Sequence, residues 1–421
     1  MKRVRDLLST LVATPSQAGV DDLSVVARTV SAWLKAHGVP HTLLGPPERP
    51  VAVVVNPPPG RGEQVLVLNA CLDTAPVGDR RQWSVDPFGA EVKDGWLHGR
   101  GSSDSKAAVA IFCDLARSVT LNAKASGKPA KRVARITPGI PDTPLCDGEP
   151  PRQVTMVFDC DEHSGRFGGI HAYLKAHGFP AMCVIGYPGL DEIVAGSRGF
   201  LRTTVILAGE MGHSGAARPQ RELAAVKLAA LVQAIERFNA APATTRADFP
   251  HGPRATLTHV RSGVKSFSVT PPRIECALDI RTTPDFDAHA AQRWLDQTLA
   301  GIDRKAAGGH ATRHTSRSAR PSSWPPYRTP DDALLPQLMR AAAARHLGHA
   351  PPMSVSGPSN IGNVLAGGGA QVLCGFGVRF RGLHGPDECV DLSTLAPVHA
   401  VYRDMVDLFL AGRPQGTPPQ P

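Results

Sequence analysis

Val65-Leu66-Val67-Leu68-Asn69-Ala70-Cys71-Leu72-Asp73-Thr74-Ala75-Pro76-Val77-Gly78, followed further on by Gly99-Arg100-Gly101-Ser102-Ser103-Asp104-Ser105-Lys106, is the stretch that decides the fold. A short, unbroken apolar run ending in a polar, Gly- and Pro-rich segment reads as a buried strand and the loop leaving it. A helix is expected to follow from Ser105 to Ser118, so the segment reads as strand, loop, helix, with acids at the junctions. The pattern recurs. Val154 to Phe158 reads as a strand, Asp161-Glu162-His163-Ser164-Gly165 as the loop, and Ile170 to His177 as a helix stopped by Gly178. Further strands are expected at Cys183 to Ile185 and Val372 to Cys374. Further helices are expected from Asp332 to Leu347 before Gly348 and from Leu392 to Leu410 before Gly412. Short apolar runs alternating with longer amphipathic ones give an α/β class with a mainly parallel sheet covered by helices. In such sheets the polar residues at strand ends line the functional crevice.

A chain of 421 residues has room for more than one domain, and 42% apolar with 20% charged residues excludes global disorder. Leu201 to Leu207, a helix from Leu223 to Phe238, a strand from Ile274 to Arg281 and a helix from Ala288 to Leu299 form a β, α, β, α set inside the first unit. That set suffices for a small two-layer α+β domain. The expected organisation is a discontinuous catalytic domain at 1–197 and 318–421, with an inserted domain at 198–317. Pro321-Ser322-Ser323-Trp324-Pro325-Pro326 marks the expected return. The Pro- and basic-rich stretch from Lys124 to Arg152 reads as either functional or disordered, and the tail from Gly412 as mobile.

The formal charge of +9 is concentrated in segments that read as solvated loops, Lys124 to Arg135 and Arg304 to Arg320, with no interleaved aromatics. Nucleic-acid binding is therefore not expected. Eight cysteines without a Cys-x-x-Cys pair point to reduced thiols in a cytoplasmic protein. No stretch approaches the ~18 apolar residues of a membrane span, so no membrane partner is expected.

Taken singly, the chemistry-bearing residues are ambiguous. Asp104 suits a helix N-terminus as well as a ligand site. Glu162 beside His163 suits a metal with its water, or a surface pair. His384 in His384-Gly385-Pro386-Asp387-Glu388 lies in a Gly-rich loop, and Arg281 is a salt-bridge partner or a carboxylate clamp.

The order and spacing of these motifs across 7–410 resemble the M20 family of metallopeptidases and amidohydrolases. Most specific is Leu72-Asp73-Thr74-Ala75-Pro76-Val77-Gly78 through Trp83, Pro87-Phe88, Asp94-Gly95 and Gly99-Arg100-Gly101-x-x-Asp104-x-Lys106. The resemblance implies a zinc-peptidase-like catalytic domain, with the inserted domain acting as lid and dimerisation unit of a homodimer. It also implies metal-dependent hydrolysis of an amide in an N-acyl amino acid or small peptide. Asp104 then matches the metal-bridging aspartate, Glu162 the general base, His384 the late metal-binding histidine and Asp73 the acid that orients a ligand histidine. His213, in Gly212-His213-Ser214-Gly215, resembles the histidine that donates to the oxyanion. Arg281, Ser359 and Asn360 match positions that contact substrate.

Three ligand positions depart from the family pattern: Cys71 stands for a histidine, Tyr187 for a glutamate and His163 for the second acid of a Glu-Glu pair. Asp104, His163 and His384 still make one zinc site with a place for water. A second site would have to use Asp104, Cys71 and either Tyr187 or Asp191, so one ion is expected rather than two. Cys71 is alternatively a buried thiol or a nucleophile. The altered ligands also leave open acyl transfer or condensation in place of hydrolysis, or a metal-depleted binding protein.

Overall fold

The computed structural model describes residues 1–58, 64–125, 152–217, 220–263 and 265–411. The tail from Gly412 and most of the stretch after Lys124 lie outside the described residues. The chain divides into two units: 1–195 with 329–354 and 368–421, and 196–328 with 355–367.

The first unit is built on a six-stranded sheet. Its order is His41–Leu44, Ala52–Val55, Arg152–Asp159, Gln64–Cys71, Met182–Ile185 and Gln371–Cys374. The last four run parallel to one another and the first two are antiparallel. Gln64–Cys71 is buried along nearly its whole length. A strand covered on both faces has no solvent side to alternate with, which is why its sequence is an unbroken apolar run. Helices Lys2–Val12, Leu23–Ala36, Ala107–Ala125, Leu334–Leu347 and Leu395–Ala411 contribute to one core. In Lys2–Val12, Val4, Leu7, Leu8 and Leu11 fall on one face at helical spacing and are all buried. The expected helix from Leu392 begins as a single tight turn, Leu392–Thr394, before the α-helix starts at Leu395.

Register brings the loops of the site together. Cys71 lies opposite Asp159, and Leu72 N donates to Asp159 O at 2.7 Å, so 71–74 and 159–163 leave the sheet side by side. A smaller sheet does the same for two other loops. Cys389–Asp391 pairs antiparallel with Trp96–His98, Cys389 opposite His98. The turn beginning at Gly99 therefore runs beside the loop ending at Glu388, and Gly99 N donates to Glu388 O at 2.8 Å.

The second unit has an antiparallel sheet in the order Arg254–Ser262, Arg273–Thr282, Gly199–Ala208 and Arg317–Trp324. Helices Ala224–Ala240 and Ala288–Ala307 share its core: Val205, Leu207, Leu278 and Ile280 join Leu231, Ile235, Leu295 and Leu299. The boundary expected at 318 is corrected, because Arg317–Trp324 pairs with Gly199–Ala208 and remains in this unit to Arg328. The segment 355–367 also belongs to it. Arg317–Trp324 is an edge strand, and Pro321 falls in the irregularity between Ala319 and Ser322, where a missing N–H breaks no ladder bond. Among the described residues, no helix is long and apolar enough to cross a membrane, and the seven cysteines are free and buried.

Candidate metal centre

Asp104 is the hub of the centre. It sits in the turn between Gly99 and the Ala107–Ala125 helix, and is almost wholly buried. His384 Nε2 lies 2.7 Å from its Oδ2, and His163 Nε2 lies 3.3 Å from the same oxygen. The two imidazole rings are 5.7 Å apart, centroid to centroid, and nearly perpendicular. Three side chains separated by up to 280 positions thus converge on one point. Ligand atoms of Cys71, Asp104, Glu162 and His163 all lie within 4.8 Å of one another.

Asp73 supports this group from behind. It is fully buried, and its carboxylate accepts from Glu162 N at 3.1 Å and His163 N at 2.7 Å. It therefore orients the Glu162-His163 backbone instead of a histidine ring at position 71. His163 Nδ1 faces Glu162 Oε2 at 3.4 Å and Asp73 Oδ2 at 3.6 Å, but is buried without a hydrogen bond.

The other oxygen of Asp104 faces different company. Oδ1 accepts from Ser105 Oγ at 3.0 Å and lies 3.5 Å from Cys71 Sγ, which is itself 3.1 Å from Ser105 Oγ. Burial, reinforced by the Glu162 and Asp104 carboxylates, holds the Cys71 thiol well above its ordinary pKa. Burial, reinforced by the Asp104 charge, holds the Tyr187 phenol above its ordinary pKa. Asp191, the other residue expected beside Cys71, is exposed.

The charges are balanced by imidazole. Burial alone would raise Asp104, but the hydrogen bonds of His163 and His384 win and hold it below the usual carboxylate range. Burial would lower His163, yet Asp104 and Asp73 push it up to about 11. Glu162 is pushed up to about 7 by desolvation and by Asp104. Among the described residues, Asp73, Asp104 and Glu162 make no salt bridge with lysine or arginine. A buried acid cluster whose compensating groups are histidines is chemically suited to a divalent cation, which replaces the imidazolium protons with its own charge. The donors present, one carboxylate and two imidazoles, fit zinc.

Arg100 and Glu388 emerge as a buried ion pair at 2.6 Å. Both stand in the motifs that carry the resemblance, but nothing in the sequence pairs residues 288 positions apart. The remaining expected site residues lie in the second unit. His213 is exposed, and its Nδ1 accepts from Gly215 N at 3.0 Å. Arg281 is held by Asp279 at 2.8 Å and donates to Ser359 Oγ at 3.1 Å, while Ser359 donates to Arg198 O at 2.6 Å. Asn360 Oδ1 accepts from Gly362 N at 2.8 Å, closing its own turn.

Comparison with known proteins agrees with this architecture. The chain is 27% identical over 420 residues to a succinyl-diaminopimelate desuccinylase of Xanthomonas euvesicatoria pv. vesicatoria, covering 96% of this chain and 97% of the relative. A M20 family metallo-carboxypeptidase from Sulfolobus solfataricus superposes with a TM-score of 0.70 at 16% identity, covering 97% of this chain and 100% of that one. A Bacillus subtilis protein described as a dinuclear metal binding peptidase from M20 family gives a TM-score of 0.62 at 14% identity, with 97% and 98% covered. A family model for Peptidase family M20/M25/M40 matches residues 67–128 and 146–408, most of the chain, and the protein belongs to that family.

Proposed function

We propose that this enzyme hydrolyses an amide bond in an N-acyl amino acid or small peptide, using one zinc ion held by Asp104, His163 and His384. The observation that carries the reading is the convergence of both imidazoles on Asp104 Oδ2, with Glu162 alongside. When bound, zinc supplies Lewis-acid polarisation of the scissile carbonyl and of water. Glu162 takes the proton of the attacking water and returns it to the leaving nitrogen. Asp73 fixes the backbone of Glu162 and His163 and so keeps the base and the ligand in register. From the second unit, Arg281 with Ser359 and Asn360 serves substrate binding, and His213 serves oxyanion stabilisation. The desuccinylase relative supports an acylated amino acid as the substrate class. We also assign a cytoplasmic location and a homodimer formed through the inserted domain, the latter readable as mass in solution.

The test is bound metal per chain together with a panel of N-succinyl and N-acetyl amino acids and dipeptides. Glu162→Gln is expected to retain metal and lose about 10²- to 10⁴-fold in kcat. His163→Ala is expected to lose the metal. Full activity in Glu162→Gln, or unchanged metal content in His163→Ala, refutes the assignment. A product joining the acyl group to a second acceptor would instead identify a transferase.

A further inference from the structure

The Glu388 side chain is 1% exposed, and so is its partner Arg100. Its Oε2 accepts from Arg100 Nη1 at 2.6 Å and Gly101 N at 3.1 Å. Its Oε1 accepts from Ser103 N at 2.9 Å, Ser103 Oγ at 2.6 Å and Asp104 N at 3.2 Å. One carboxylate thus shapes the whole turn that carries Asp104. Arg100 completes the connection on the other side. Its Nη2 donates to the carbonyls of His384 at 3.3 Å and Gly385 at 3.0 Å, and its guanidinium lies 5.2 Å from the centre of the Trp83 ring. His384 has φ of +60°, a left-handed conformation disfavoured for a non-glycine residue, and Arg100 grips that residue's carbonyl.

Among the five residues whose backbones this pair grips are Asp104 and His384, whose side chains meet at 2.7 Å. A buried ion pair is by itself weak evidence for stability, because apolar side chains of similar volume commonly replace one without loss. Its directionality is what apolar packing cannot reproduce, since one guanidinium spans the Glu388 carboxylate through Nη1 and the carbonyls of His384 and Gly385 through Nη2.

We propose that Arg100 and Glu388 are positioning residues that set the distance between Asp104 and His384, so that metal affinity depends on the pair separately from fold stability. The proposal rests on the reading of the centre as a metal site, and extends it to residues that touch no metal.

The experiment compares wild type with Arg100→Lys, Glu388→Gln and the double variant Arg100→Met/Glu388→Met. Zinc Kd is measured by competition with a chelating dye, and metal-free melting by circular dichroism. Metal-free crystal structures of wild type and Arg100→Lys supply a readout that does not involve metal. Lysine keeps the charge but cannot bridge Glu388 and both carbonyls. Arg100→Lys is expected to weaken zinc about 10- to 100-fold, the range for groups that orient metal ligands. In its metal-free crystals the contact between His384 Nε2 and Asp104 Oδ2 is expected to open beyond hydrogen-bond reach, about 3.5 Å. The double variant is expected to bind zinc weakly and also to melt below wild type, because Gly101, Ser103, Asp104, His384 and Gly385 lose the partners of their backbone groups. A Kd within about twofold of wild type, against the loss expected from a displaced ligand, overturns the proposal. So does an unchanged contact in the crystals, or loss of fold in both single variants, which would make the pair a folding element only. If wild type takes no zinc, the metal reading fails, and the metal-free crystals still decide the clamp.

Discussion

Replacing Cys71 with histidine tests the asymmetry of the centre most directly. Cys71 is 3% exposed, with Ser105 Oγ 3.1 Å and Asp104 Oδ1 3.5 Å from its sulfur, so an imidazole has to displace neighbours. Overpacking of this kind costs about 1–3 kcal/mol. At roughly 2–4 °C per kcal/mol for a unit of this size, the metal-free variant is expected to melt about 2–12 °C below wild type. Zinc should reverse the loss. Asp73 uses its oxygens to receive two backbone N–H groups, and each carboxylate oxygen retains a further lone pair for a ring N–H. The new histidine is expected to find in Asp73 an acid for its ring N–H, and with Asp104 would offer donors for a second ion. Zinc at 100 times the Kd of that site adds about 2.7 kcal/mol, which offsets most of the packing cost. The assay is metal per chain after desalting, paired with melting curves with and without zinc. The expected outcome is one ion in wild type and two in Cys71→His. Two ions in wild type would refute the reasoning, as would a folded Cys71→His variant that still holds one.

Two further predictions concern stability. Lys227 is fully buried, its Nζ 2.7 Å from Asp303 Oδ1, 3.5 Å from Glu222 Oε2 and 2.6 Å from His314 O. Lys227→Met leaves two buried carboxylates uncompensated and should cost about 3–5 kcal/mol, read by calorimetry as a transition lowered by about 6–20 °C; an unchanged transition would count against the buried cluster. Asp114 is raised by burial, but His399 and Arg117 outweigh that and leave it below the normal carboxylate range, with Arg3 also 3.4 Å away. Because its folded pKa is depressed below the unfolded value of about 3.9, the stability it confers is present above that value and is lost as pH falls. Urea unfolding at about pH 6 and pH 3 should show a loss in wild type that is smaller in Asp114→Asn; equal losses would exclude this source.

The fold was legible where burial leaves a one-dimensional signature. The central strands are apolar without interruption because helices cover them, and Gly178 and Gly348 both follow helix ends in positive-φ conformations. Legibility failed at sheet edges. Arg254–Ser262 is mostly exposed and polar, so it lacks both an apolar run and clean alternation. Arg317–Trp324 contains Pro321, which reads as a break from sequence but is tolerated at the irregular edge. The domain boundary at 318 moved for that reason alone. At the site, residue types suggested chemistry and the family pattern suggested roles, but neither contained distance. Asp191 and Tyr187 were equivalent by sequence because they lie four positions apart. They differ in the structure because Tyr187 lies two positions past the end of the buried Met182–Ile185 strand and is half-buried, while Asp191 has reached the surface.

The substitutions at the centre are best understood through the two oxygens of Asp104. Oδ2 faces two imidazoles, at 2.7 and 3.3 Å, a pair of neutral-capable nitrogen donors that exchange a proton for a cation. Oδ1 faces the Ser105 hydroxyl and the Cys71 thiol, groups that satisfy a carboxylate by donating hydrogen bonds while remaining uncharged. A thiolate there would stand among Glu162, Asp104 and Asp73, whose charges oppose its formation. Exchange of a histidine for Cys71 and of a glutamate for Tyr187 therefore acts in one direction: each replaces a ready metal donor with a group that is neutral unless a cation is already present. The exchange of an acid for His163 acts the other way and keeps a donor on the Oδ2 side. On the proposed reading the ligand changes are coherent: they leave the nitrogen donors on the side of Asp104 where Glu162, the proposed base, also stands.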